Sequence, residues 1–166
     1  MNYRTLGRTG LKVSEIGMGC EGFEGKSPEQ VKEFVDRMEE LGINCIDLYS
    51  PNPEMRSSLG RAMAGRRDKF VLQSHLCSIW EKGQYLRTRD IDKVKAGFAD
   101  MLCRLDTDFI DIGMIHYSDA LSDWQGIVNG PVMAYARELK VAGKIGCIGL
   151  SSHNPEVAQA AVDSGL

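Results

Sequence analysis

The sequence lacks the features that would assign a chain to several specialised classes. Its five cysteines are odd in number and form no C-x-x-C pair, so neither a disulfide framework nor a zinc finger is expected. It has no stretch of about 18 apolar residues that could span a membrane, and its start, Met1-Asn2-Tyr3-Arg4, begins no signal-peptide hydrophobic run. Acidic residues outnumber basic ones by 23 to 20, so no broad basic surface for nucleic acid is expected. We therefore expect a cytoplasmic protein that binds neither membranes nor nucleic acid.

The residues that are present are those of an ordinary folded domain. Hydrophobic residues make up 43% of the chain and charged residues 26%, a composition that excludes collagen-like, low-complexity and intrinsically disordered proteins. The length of 166 residues is the usual size of a single domain.

Short apolar segments alternate with helical patterns along most of the chain. An initial hairpin is predicted around Gly7-Arg8-Thr9-Gly10, because its glycines permit the positive φ angles of a tight turn. Five strands are then expected at residues 15–20, 44–49, 70–75, 109–116 and 145–150. Helices are expected after each strand, the first beginning at Ser27-Pro28 and the fourth near Pro131. This alternation predicts five successive β-α units with a parallel sheet.

Two architectures are compatible with such a series. A doubly wound open sheet usually has a glycine-rich phosphate turn after its first strand, but the nearest pattern here, Gly17-x-Gly19-x-x-Gly22, starts inside the predicted strand and is weak evidence. The alternative is a (β/α)8 barrel, which takes about 250 residues and eight strands. We then expect residues 1–166 to form one incomplete α/β barrel domain, its first five-eighths, with unpaired outer strands that favour self-association.

Several segments resemble one family over the whole length of the chain. The start, Tyr3-Arg4-Thr5-Leu6-Gly7-Arg8-Thr9-Gly10, resembles the opening of aldo-keto reductases, and residues 42–47, 59–62, 108–116 and 143–151 resemble later segments in register. Within the family, the chain is most similar to bacterial members that carry a ferredoxin-like iron–sulfur module after the barrel, although nothing of that module is present in this sequence.

The resemblance implies NADPH-dependent reduction of aldehydes or ketones by an Asp, a Tyr, a Lys and a His at strand ends. Asp47 matches the aspartate and His116 matches the histidine, whereas Asn52 stands at the tyrosine position and His75 at the lysine position. A neutral carboxamide cannot protonate the oxyanion that hydride addition creates, so Asn52 is expected only to donate a hydrogen bond. His75 or His116 is the expected proton source, and Tyr49 is a second candidate if its loop shifts.

The resemblance also implies where a cofactor would bind. Ser151 and Ser152 match the positions that hold the nicotinamide carboxamide, usually a Ser and an Asn. The family grips the cofactor phosphates mainly with loops after its last two strands, which this sequence does not contain, so the chain by itself is expected to bind NADPH poorly. The aromatic residues Trp80, Tyr85 and Trp124 are expected in loops, where they either wall a substrate pocket or cover the barrel rim.

Two alternative functions remain open from the sequence. His75, His116 and His153 follow consecutive strands, and with Asp47 they have the ligand chemistry of a zinc or iron site in a metal-dependent barrel enzyme. The replaced tyrosine and lysine are instead compatible with a catalytically inactive fragment or an assembly module.

Overall fold

The chain begins with a small antiparallel hairpin outside the main sheet. The computed structural model describes residues 1–165, and its first strands are β1 (Tyr3–Thr5) and β2 (Lys12–Ser14), joined by a 3-10 turn at Gly7–Thr9. Asn44, just before the second parallel strand, accepts a hydrogen bond from the Ser14 backbone N–H at 2.7 Å. The predicted hairpin is therefore confirmed, and it packs at the end of the sheet where the strands begin.

Seven further strands follow within residues 1–165. They are β3 (Gly17–Gly19), β4 (Cys45–Leu48), β5 (Val71–Leu76), β6 (Ser78–Glu81), β7 (Gln84–Arg87), β8 (Ile110–Ile115) and β9 (Ile145–Leu150). Five of them form one parallel sheet in the order β3-β4-β5-β8-β9. If the separate β6-β7 hairpin is left out, each strand of this sheet lies beside the one that precedes it in the chain. This sequential order is that of a (β/α)8 barrel, whereas a doubly wound sheet reverses its strand order at a switch point.

Two helices begin at the signals predicted from the sequence, Ser27-Pro28 and Pro131. The helices of the described residues are α1 (Pro28–Leu41), α2 (Pro53–Met63), α3 (Ile91–Leu105), α4 (Leu121–Val128), α5 (Pro131–Val141) and α6 (Pro155–Asp163). Ser27 and Gln30 form a reciprocal capping box at the start of α1, and Gly42 ends that helix with φ of 72°. No helix within residues 1–165 has both the length and the apolar character needed to cross a membrane.

Three local predictions were wrong. The expected loop after the third strand is the β6-β7 hairpin, in which Trp80 pairs with Tyr85. The expected loop around Trp124 is helix α4, and Trp124 is buried in the core, so it does not wall the candidate pocket. The first parallel strand is only three residues long, because the chain turns into a 3-10 helix at Cys20–Phe23.

The central strands are buried on both faces, and the outer ones are not. Ile46, Leu72 and Ile110 are fully buried, as expected for parallel strands covered by helices on one side and by barrel interior on the other. In β9, four of six residues are only partly buried. Within residues 1–165, β3 and β9 each have one neighbouring strand, so the sheet is open at both sides.

Candidate active site

The candidate site is a cleft of about 900 Å³ at the carboxyl ends of the parallel strands. It is lined by carboxylates, aromatic rings, histidines and serines, among them Glu21, Asp47, Tyr49, His75, Tyr85, His116 and Ser151. In parallel β/α folds, side chains from different strands converge at this edge of the sheet. The strand-end residues singled out in the sequence are therefore candidates for one common site.

Asp47, His75 and His116 form a continuous line of hydrogen bonds across three adjacent strands. His75 Nε2 lies 3.0 Å from Asp47 Oδ1, and His75 Nδ1 lies 2.8 Å from His116 Nδ1. Gln73, two residues before His75 on β5, donates to the same Asp47 oxygen at 2.8 Å. Residues two positions apart on a strand point to the same face of the sheet, so the Gln73 and His75 side chains both reach the Asp47 carboxylate.

Tyr85 extends this line on the other side of His116. Its hydroxyl oxygen lies 2.8 Å from His116 Nε2, so four side chains form one chain: Asp47, His75, His116 and Tyr85. Tyr85 was identified from the sequence only as a residue that walls the pocket or covers the rim. Its position depends on how the β6-β7 hairpin folds back over the cleft, and no motif in the sequence marks it.

The chemistry of the four groups restricts their proton positions. The Asp47 carboxylate can only accept, so His75 Nε2 donates to it. With one proton on each ring, His75 Nδ1 then accepts from His116 Nδ1, and His116 Nε2 accepts the Tyr85 O–H. In this arrangement every ring nitrogen is engaged within the chain.

The surroundings shift the acidities of Asp47 and His116. Partial burial opposes ionisation of Asp47, but the hydrogen bonds from His75 and Gln73 outweigh it and lower the pKa of Asp47. Burial, with His75 and Arg89 nearby, lowers the pKa of His116 from 6.5 to about 4. His116 is therefore neutral near pH 7, as its acceptor role toward Tyr85 requires.

The lowered pKa of His116 makes stability depend on pH. Between the unfolded pKa of 6.5 and the folded value of about 4, the unfolded chain binds more protons than the folded one, so acidification favours unfolding. Allowing for solvent screening, we expect the free energy of unfolding to fall by about 2 kcal/mol across this window on account of His116. Urea unfolding of the wild type and of His116→Asn at several pH values measures this contribution. The expectation fails if both proteins lose stability in parallel between pH values of about 6.5 and 4.

Asn52 lies outside the four-residue chain. Its side-chain oxygen accepts from the backbone N–H groups of Glu54 and Met55 at 3.0 and 3.1 Å, so it caps the start of α2. Buried Arg56 also donates to the Ser50 carbonyl at 3.1 Å. These bonds hold the loop between β4 and α2, and they commit the Asn52 amide oxygen to the helix.

Tyr49 reaches the cleft without the loop shift that the sequence led us to expect. Its ring stacks on that of His116, with centroids 5.8 Å apart and an interplanar angle of 9°. Its hydroxyl donates to Glu21 at 2.7 Å. This hydrogen bond, with partial burial and the nearby carboxylates, raises the pKa of Tyr49 to about 12.

Ser151 and Ser152 both line the cleft, but they differ in whether the hydroxyl proton is already donated to another group. Ser151 Oγ accepts from the Tyr117 backbone N–H at 2.8 Å, which leaves its own O–H available. Ser152 Oγ lies 3.1 Å from Asp119 Oδ1 and 3.2 Å from the Asn154 carbonyl, so its O–H is already engaged.

The structure brings His75 and His116 into direct contact, but not His153. The exposed His153 side chain bonds to Asp119, with Nδ1 and Oδ2 3.0 Å apart, whereas His75 and His116 face each other directly. Within the described 165 residues, no group of three His, Cys, Asp or Glu side chains has the arrangement of a metal site. His153 therefore lines the same cleft but does not join the line of Asp47, His75 and His116.

A sequential parallel sheet with a polar cleft at its carboxyl edge defines the class: consecutive units of a (β/α)8 barrel. Comparison with known proteins agrees. The Aldo/keto reductase family model matches residues 15–165. The chain belongs to the aldo/keto reductase family.

Individual relatives give the extent of the similarity. The chain is 30% identical over 161 residues to the uncharacterized oxidoreductase YqkF of Bacillus subtilis, covering 95% of the chain and 51% of YqkF. It is 28% identical to the aldo-keto reductase YhdN of the same organism, covering 94% of the chain and 48% of YhdN. The holo form of aldo-keto reductase AKR11C1 from Bacillus halodurans superimposes with a TM-score of 0.83 and 29% identity, over 98% of this chain and 54% of that one. The chain thus spans about half the length of these relatives.

Proposed function

We propose that the protein reduces a carbonyl compound with NADPH, using Asp47, His75 and His116 for the proton. The observation that supports this most directly is the line of hydrogen bonds at the carboxyl ends of β4, β5 and β8. Hydride addition to a carbonyl carbon leaves an oxyanion, which a nearby proton donor stabilises and neutralises. Aromatic rings around this line, Trp80 and Tyr117 among them, give the cleft apolar walls for an organic substrate.

The residues present fit the nicotinamide end of the cofactor. Ser151 lies at the end of β9 on the cleft, and its free O–H is suited to hold the carboxamide. Ser152 is less suited, because its hydroxyl is engaged by Asp119 and Asn154. Among residues 1–165, those lining the cleft include no Lys or Arg that would pair with the cofactor phosphates. The bound cofactor supplies the hydride, and the protein residues orient the carbonyl and move the proton.

The proposal predicts a large effect of neutralising Asp47. In the full-length protein, Asp47→Asn is expected to lower kcat for NADPH-dependent aldehyde reduction by about 100-fold, since the acceptor that orients His75 loses its charge. NADPH oxidation followed by absorbance, with a panel of aldehydes and ketones and with NADH for comparison, measures this. Asp108→Asn, an exposed position near the opposite end of the sheet, is the matched control and is expected to leave the rate unchanged.

Two results would contradict the proposal. Failure of the full-length wild type to oxidise NADPH with any carbonyl compound in the panel favours the inactive-module alternative. Equal rates for wild type and Asp47→Asn show that the reaction does not depend on this line of residues.

A further inference from the structure

We propose that Tyr85 is the residue that hands the proton to the substrate, and that His116 and His75 resupply it. This inference rests on the proposed carbonyl reduction. It assigns the task of the missing family tyrosine to a residue on a different element, the β6-β7 hairpin, 33 positions after Asn52 in the chain.

The position of Tyr85 in the hydrogen-bonded chain supports this role. Both nitrogens of His75 are engaged, by Asp47 and by His116, and His75 is only 5% exposed. Both nitrogens of His116 are engaged too, by His75 and by Tyr85. Neither imidazole therefore has a free N–H for a substrate. Tyr85 is the terminal group at the cleft, and 44% of its surface is exposed.

The other tyrosine beside His116 is less suited to the task. The Tyr49 hydroxyl donates to the Glu21 carboxylate, and its ring lies parallel to that of His116, with the centroids 5.8 Å apart, instead of meeting a ring nitrogen. Loss of its proton would place a phenolate beside that carboxylate, and the chain of histidines offers no hydrogen bond through which to replace the proton.

The hairpin holds Tyr85 in place. Its two-residue turn has Lys82 and Gly83 at φ of 51° and 80°, the left-handed conformation of tight hairpin turns. At its base, Ile79 packs so closely on α3 that a Cβ on Gly97 would come within 2.5 Å of its Cγ2. Arg89, just after the hairpin, donates to the His116 carbonyl at 2.8 Å. Tyr85 and His116 are thus fixed relative to each other by backbone and side-chain contacts.

The proton balance of the step follows from the geometry. The step begins when the Asp47–His75 pair has taken up one proton more than in the arrangement in which Tyr85 donates to His116, so that His75 Nδ1 donates to His116 Nδ1 and His116 Nε2 donates to Tyr85 Oη. Bound NADPH would supply the hydride for the new C–H bond and become NADP⁺, and the carbonyl oxygen would become an alkoxide. The Tyr85 O–H bond then breaks as its proton moves to the alkoxide.

The same line of groups restores the tyrosine. His116 Nε2 passes its proton to Tyr85, and His75 Nδ1 passes its proton to His116 Nδ1. His75 Nε2 is left donating to Asp47, and Tyr85 again donates to His116 Nε2. The Asp47–His75 pair regains a proton from water at the cleft edge, where the Asp47 side chain is 41% exposed. One hydride and one proton are consumed in each turnover.

The test compares three Tyr→Phe variants of the full-length protein, each of which removes one hydroxyl and keeps the ring. Tyr85→Phe is expected to lower kcat by about 100-fold or more with little change in KM. Tyr49→Phe is expected to lower kcat by less than about 10-fold, because it removes only the hydrogen bond to Glu21, which lies outside the line of proton transfer. Tyr135→Phe, on α5 away from the cleft, is the control and should match the wild type.

A second measurement separates catalysis from packing. Nitrogen NMR of the histidine rings is expected to show a shifted His116 Nε2 signal in Tyr85→Phe, with unchanged urea unfolding. If the wild type is active and the kcat of Tyr85→Phe is within about threefold of it, the role assigned to Tyr85 is wrong while the proposed function stands. The same conclusion follows if Tyr49→Phe loses more activity than Tyr85→Phe. A wild type without activity overturns the proposed function itself. Unchanged His116 signals in Tyr85→Phe contradict the hydrogen bond on which the relay depends.

Discussion

Replacing Gly60 with alanine is expected to lower the free energy of unfolding by about 3 kcal/mol. Gly60 lies in α2 where it crosses the end of α3, and a Cβ there would lie 2.5 Å from the Arg104 carbonyl oxygen and 2.8 Å from the Leu105 Cα. These are backbone atoms, so relief requires the two helices to move apart. Because α2 follows the loop that carries Tyr49, the shift is expected to reach the cleft as well.

A second glycine provides the control for Gly60→Ala. Gly126 lies in the exposed part of α4, and a Cβ there would meet no atom within 4 Å. Gly126→Ala is expected to raise the free energy of unfolding by about 0.5 kcal/mol, because alanine has less backbone freedom to lose in a helix. Urea denaturation of both variants measures the difference, and equal effects would show that close packing does not limit position 60.

Asp111→Ala is expected to cost about 3 kcal/mol. Asp111 interrupts the otherwise apolar β8, and its Oδ2 accepts from Arg67 Nη2 at 2.8 Å and from the Leu72 backbone N–H at 2.9 Å. Arg67 also donates to the carbonyls of Phe70 and Phe109. Removing the carboxylate leaves a largely buried guanidinium and a strand N–H without their acceptor, which is the costly way to break an ion pair.

The matched control for Asp111→Ala is Asp108→Ala, the same substitution three residues earlier at an exposed position. We expect this change to stay within about 0.5 kcal/mol of the wild type. Chemical denaturation with added salt tests the electrostatic contribution of the Asp111–Arg67 ion pair. The loss in Asp111→Ala is expected to change little with salt, because a partly buried ion pair is screened only weakly. Comparable losses in the two variants would argue against a structural role for the Arg67 contacts.

The elements with local signals were the ones that the sequence predicted well. The capping box at Ser27, the proline at position 28 and the glycine at position 42 define the first helix by contacts within a few residues. The β6-β7 hairpin was missed because its turn, Lys82-Gly83, has only one glycine and sits between strands of four residues. Helix α4 was missed because it has no capping side chain at Ala120.

Part of the candidate site could be predicted for a similar reason. Asp47, His75 and His116 lie at the ends of consecutive strands, and parallel strands bring their carboxyl ends to one edge. His153 follows a strand in the same way, but its side chain turns to Asp119 beyond the strand end. Asn52 lies at a family position, and its helix cap engages its side-chain oxygen.

The sequence alone determined the order of the units, the parallel sheet and the family, because periodicity and caps are local and the resemblance runs through the whole chain. The tertiary structure alone decided which nitrogen faces which oxygen, and that Tyr85 completes the line from Asp47. The physical reason is that a hydrogen bond requires the distance between donor and acceptor to be correct within a few tenths of an ångström. Tyr85 and His116 are separated by 31 residues, and their relative position depends on the packing of the hairpin on α3 and on the Arg89 contact.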